Sequence, residues 1–108
     1  MPADLQAPLP AYFEASNRHD PDALVRLFAD GASVRDESRE MIGAAAIRDW
    51  AEATFRKYRT ALTPVAAKQR GGAVHVTVQV AGTFPGSPIT LGFRFEIAAG
   101  KIAALEIA

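Results

Sequence analysis

ASVRDESREMIGAAAIRDW, residues 32–50, decides how the rest of the chain reads. It starts as a short strand carrying Asp36 and Glu37, passes through a polar turn or second short strand, and reaches Gly43. There the periodicity changes. Ile47, Trp50, Ala51, Thr54, Phe55 and Tyr58 recur at i, i+3, i+4, i+7, i+8 and i+11, one wide apolar stripe. The spacing predicts a single helix over 44–59. Arg48, Asp49, Glu52, Arg56 and Lys57 take its other side, where the Glu52–Arg56 pair adds only about 0.2–0.5 kcal/mol.

Downstream the period is two. Val65 to Arg70 reads as a first strand, closed by Gly71-Gly72. In AVHVTVQVA, residues 73–81, Val74, Val76, Val78 and Val80 share one face, and His75, Thr77 and Gln79 the other. In ITLGFRFEI, residues 89–97, Ile89, Leu91, Phe93, Phe95 and Ile97 oppose Thr90, Arg94 and Glu96. A turn centred on Pro85-Gly86 sets Val76 opposite Phe95, Val78 opposite Phe93 and His75 opposite Glu96, fixed modulo two residues by the match of the faces. Gly100 turns the chain into a last strand, Ile102 to Ile107.

Upstream, residues 1–4 read as a loose start and Leu9 to about Arg18 as a helix, with Pro8 and Pro10 suited to its first turn. Asp20-Pro21-Asp22 supplies an N-cap, a first-turn proline and a dipole-favoured acid. A second helix follows, carrying Leu24, Val25, Leu27 and Phe28 and ending near Asp30-Gly31. The order is helix, helix, short strand or strands, long helix, four antiparallel strands. One curved sheet cannot bury its apolar face alone, so the helices pack on it, leaving a hollow between the long helix and the concave face.

The 108 residues form one domain, 1–108, burying about two-thirds of the unfolded surface. Twelve basic residues balance twelve acidic ones with no long basic run, which argues against nucleic acid as a partner. No apolar run spans a bilayer and no leader pattern opens the chain, so neither membrane nor export is expected. With no cysteine, the reading is cytoplasmic. Two histidines in unrelated contexts make no metal site, and no phosphate loop or nucleophile elbow is present, so no cofactor is expected.

AYFEASNRHDPDALVRLFADGASVRDE, residues 11–37, with Gly43, Ile47 and Trp50 in Gly-x-x-x-Ile-x-x-Trp and the strands that follow, resembles the SnoaL-like branch of the nuclear transport factor 2-like superfamily. The resemblance implies an α+β, cystatin-like cone, three N-terminal helices on a strongly curved antiparallel sheet, frequently a homodimer through the outer sheet face. That superfamily mixes cofactor-free isomerases, cyclases, epoxide hydrolases and dehydratases with modules that catalyse nothing. ASVRD is similar to the setting of the catalytic base in ketosteroid isomerase, which puts Asp36 in that place, with Tyr12 corresponding to its phenolic donor. The second acidic donor of that enzyme has no counterpart, because Leu91, Phe93 and Phe95 stand there.

Two readings of Asp36 follow. As a base it lies among apolar walls with a raised pKa; as a structural acid it pairs with Arg35 or Arg39. Tyr12 is either its partner donor or a core ring with its hydroxyl at the rim. Trp50, Tyr58, Phe93 and Phe13 are the expected ligand-binding side chains for a small, largely apolar molecule. His75 reads as solvent- or dimer-facing, and His19 as solvated. The competing class is a non-catalytic homodimeric ligand-binding or association module.

Overall fold

In a computed structural model, which describes residues 5–108, α3 (Ala44–Tyr58) is the helix that its stripe predicts. Gly43 enters it at φ 90°, a left-handed backbone that costs glycine nothing, and its N–H donates to the carbonyl of Ala32 at 2.9 Å. Ile47, Ala51 and Phe55 are buried, while Trp50, Thr54 and Tyr58 are half-buried one step round the stripe. Arg56 and Lys57 sit in the last turn, where cations suit the helix dipole. The reading of residues 1–4 falls outside the described residues.

Before α3 come α1 (Leu9–Asn17), α2 (Pro21–Val25), β1 (Phe28–Asp36) and β2 (Arg39–Ile42). After it come β3 (Ala61–Arg70), β4 (Ala73–Ala81), β5 (Ile89–Ala98) and β6 (Lys101–Ile107). The six strands form one sheet in the order β2-β1-β6-β5-β4-β3, antiparallel except for the parallel β1–β6 pair. The register shifts at Phe28/Ser33, Pro64/Ala66 and Glu96/Ile97, and such interruptions of the ladder bend a sheet. Three helices on a curved six-stranded sheet make the α+β cone.

Two boundaries and one register differ from expectation. The second helix stops at Val25, because Leu27 accepts the Ile102 N–H at 2.9 Å and Phe28 pairs with Ile102. Leu24 and Phe28 keep the four-residue spacing of a helix face, yet pairing with β6 takes the second of them into strand. β3 begins at Ala61 rather than Val65 and runs through Pro64, which an edge strand with a bulge at that residue tolerates. The β4–β5 register is two residues from the one drawn above: Val74 faces Phe95, Val76 faces Phe93, and His75 faces Arg94 instead of Glu96. The faces are nonetheless those expected, since a two-residue shift preserves them.

The core is aromatic where α1 meets the sheet. The rings of Tyr12 and Phe13 meet Phe95 edge-on with centroids 5.2 and 6.0 Å away, and Phe13 and Phe95 are fully buried. The end of α1 is tied to β3 by Asn17, whose side-chain amide accepts the Leu62 N–H at 2.8 Å and donates to the Leu62 carbonyl at 2.9 Å. His19 is not merely solvated, as its sequence context suggested: its Nε2 lies 2.7 Å from the Thr60 carbonyl oxygen and its ring stacks on Phe55 at 5.0 Å.

Candidate functional site

β1 alternates Val34 in, Arg35 out, Asp36 in. That parity separates the two readings of the acid. Arg35 lies on the outer sheet face, 3.9 Å from Glu40 and 4.0 Å from Glu106, and is not the partner of Asp36. Asp36 instead accepts the indole N–H of Trp50 on its Oδ2 at 3.1 Å. Burial raises the Asp36 pKa above the ordinary aspartate value, outweighing the lowering effect of the Trp50 hydrogen bond; the neighbouring Glu37 charge raises it further, and the Glu37 backbone N–H and then the Arg39 charge lower it.

The hairpin that follows turns on Glu37 and Ser38, both left-handed at φ 53° and 62°. Two such residues in a tight turn are strained when neither is glycine. The turn sets the Glu37 carboxylate beside α3, where the Tyr58 hydroxyl donates to its Oε2 at 3.2 Å. Trp50 and Tyr58, two turns apart on one helix face, thus each hold one of two consecutive carboxylates.

These groups border a half-open hollow of about 270 Å³ between α3, the concave sheet, Tyr12 and Ser16 of α1 and Leu24 of α2. This is near the lower end of ligand pockets, which run about 300–1,000 Å³. Tyr12, Leu24, Phe55, Leu62, Val80, Leu91, Phe93 and Ile107 give it apolar walls, and among the described residues Asp36 and Glu37 alone bring formal charges to its lining. Tyr12 is almost fully buried, and among the described residues nothing hydrogen-bonds its hydroxyl. Burial and then the negative charge of Asp36 push its pKa up, so the phenol stays protonated and able to donate.

The structure therefore brings Asp36, Tyr12, Trp50, Tyr58 and Phe93 to one cavity. Phe13 is not there: it is fully buried behind Tyr12 and Phe93 as a core ring. Phe84 was missed. It lies in the Gly- and Pro-rich connection between β4 and β5 and packs edge-on against Tyr58 at 5.9 Å. A lone phenylalanine in a stretch of turn formers was the available signal. Gly82 beside it is required for space, because a Cβ there would overlap the Tyr58 carbonyl oxygen and crowd the Phe84 ring. Among the described residues no helix is long and apolar enough to cross a membrane, and no three histidine, aspartate or glutamate side chains gather as metal ligands.

The SnoaL-like domain family matches residues 9–105. Among solved structures, a candidate polyketide cyclase from Sinorhizobium meliloti is 38% identical with a TM-score of 0.93, covering 97% of this chain and 96% of its own. A protein of ketosteroid isomerase-like fold from Catenulispora acidiphila, in complex with trimethylamine, is 20% identical with a TM-score of 0.81, over 93% of this chain and 82% of its own. The epoxide hydrolase/cyclase-like enzyme SalBIII, of pyran ring formation in polyether salinomycin, is 24% identical with a TM-score of 0.79, over 92% and 84%. The last two likenesses speak to the fold alone. Among curated proteins, none matches the chain in sequence.

Proposed function

The chain belongs to the SnoaL-like domain family, and on that premise we propose that its hollow binds a small, largely apolar molecule, with Asp36 as general base for cofactor-free proton transfer of the isomerase, cyclase or dehydratase type. One observation carries the reading: Asp36 borders an apolar hollow, held by a neutral indole donor rather than an arginine. A carboxylate so placed is a stronger base than one paired with a cation, and its proton affinity suits abstraction near neutral pH. Tyr12 is the matching donor. Its protonated hydroxyl, without a protein acceptor among the described residues, would polarise a substrate oxygen as charge develops there. Trp50, Tyr58 and Phe93 shape the walls. The candidate polyketide cyclase, 38% identical, supports a ring-forming or related reaction.

Benzyl alcohol is a suitable neutral probe. Added at millimolar concentration, it is expected to shift the Trp50 indole N–H resonance saturably. An unchanged Trp50 signal would remove the binding reading.

A second reading, association, is favoured by the outer sheet face. Glu40, Arg35, Glu106, Arg94, His75 and Lys68 occupy successive paired positions from β2 to β3, and Thr77, Gly92 and Ala66 leave the surface beside them flat. Alternating charge on a flat face is self-complementary under a two-fold axis. We expect a homodimer across it, burying about 800 Å² per subunit. Light scattering at micromolar concentration should give twice the 11.5 kDa of one chain; a monomer mass would contradict it.

A further inference from the structure

We propose that the ligand of the hollow carries one protonated amine on an apolar body, and that the hollow rejects the same body bearing a carboxylate. The proposal rests on the pocket reading above and adds the charge of the molecule.

Among the described residues the hollow is lined by two acids, Asp36 and Glu37, and by no arginine, lysine or histidine. The nearby cations all face elsewhere. Arg35 is on the opposite side of the sheet, between Glu40 and Glu106. Arg39 and Lys57 border an adjoining groove that shares Glu37, Trp50, Thr54 and Tyr58 with the hollow; neither lines the hollow itself, though the Arg39 charge reaches Asp36 as the smallest of the influences on its pKa. The ammonium of Lys57 stands 5.0 Å from the centre of the Tyr58 ring, on the groove side.

Each acid has one oxygen engaged by a side chain, Asp36 Oδ2 by Trp50 and Glu37 Oε2 by Tyr58. A carboxylate accepts about four hydrogen bonds, so both keep capacity for a further donor, even with the Glu37 backbone N–H also at Asp36. An ammonium beside them gains two unlike charges and the rings of Trp50, Tyr58 and Phe84. Its charge lowers the Asp36 pKa against burial and Glu37, so an amine bound there gains affinity at the expense of some of the basicity of Asp36. A carboxylate on the ligand would bring a third negative charge beside the two acids, with no cationic side chain among the described lining residues to offset it. A neutral molecule lies between these extremes. The walls formed by Val80, Leu91 and Phe93 accept the hydrocarbon in every case, so charge alone separates the three.

Benzylamine, benzyl alcohol and benzoate share one body and differ in charge at neutral pH. Titrated calorimetrically into the full chain at low salt, benzylamine is expected to bind at least about fivefold more tightly than benzyl alcohol, and benzoate at least about fivefold more weakly. The amine-to-alcohol ratio should narrow in Asp36→Asn and in Glu37→Gln. A smaller amine preference, or benzoate binding as well as the alcohol, overturns the charge assignment and leaves the pocket reading intact. Failure of all three probes to bind removes both.

Discussion

Phe95→Ala is expected to destabilise the fold by about 3–5 kcal/mol, a large share of the roughly 5–15 kcal/mol that holds a small domain together. Phe95 is fully buried on β5, opposite Val74 on one side and Leu105 on the other. Its ring lies between those of Tyr12, Phe13 and Phe93. The backbone cannot collapse into the void, because both neighbouring strands are paired there. The loss therefore includes the cavity as well as the transfer of the ring. Tyr12 rests edge-on against Phe95, so the variant should also loosen the hydroxyl at the base of the hollow. Urea unfolding should show a lower midpoint with an unchanged slope. A loss below about 1 kcal/mol would mean that the site repacks and that the ring cluster is not the keystone of the α1–sheet contact.

Asp36→Asn should divide stability from function. The Asp36 pKa is raised in the folded protein, so the folded state holds the proton more tightly than the unfolded chain. The stability associated with that proton is fully present below the unfolded value and is lost as pH rises through the folded one. At neutral pH the wild type has lost it, whereas a neutral amide never carries the charge. The amide oxygen of the replacement still accepts the Trp50 N–H. The variant should therefore melt with the wild type in acid and above it at pH 7. For any proton transfer in which Asp36 is the base, the rate should fall about 10²–10⁴-fold. Melting temperatures of both proteins across the acid-to-neutral range check the first half. A variant less stable than the wild type at pH 7 would return Asp36 to a structural role.

Much of this was legible where a local pattern coincided with a buried face. The valines of β4 and the stripe from Ile47 to Tyr58 each have one apolar side, and burying it left one choice of element. The inward aim of Asp36 is likewise local, since it shares parity with Val34. What escaped the sequence depends on distant partners. Phe28 becomes strand because Ile102 pairs with it, and His19 is fixed by the Thr60 carbonyl 41 residues away. The Glu37–Tyr58 bond needs two non-glycine residues in left-handed backbone, which residue preferences disfavour. Phe13 shares the apolar face of α1 with Tyr12, and periodicity alone does not say which of two neighbouring rings reaches the hollow.

The central claim is that Asp36 is an acid poised in a hollow and not half of an ion pair. The carbon-13 shift of its carboxyl, followed through a pH titration of the wild type, tests this most directly. The midpoint should lie above the ordinary aspartate value of ~3.9, because apolar walls and Glu37 oppose the charged form more than Trp50 supports it. A midpoint at or below that value would mean that a cation or further donors hold the carboxylate, and it would contradict the account.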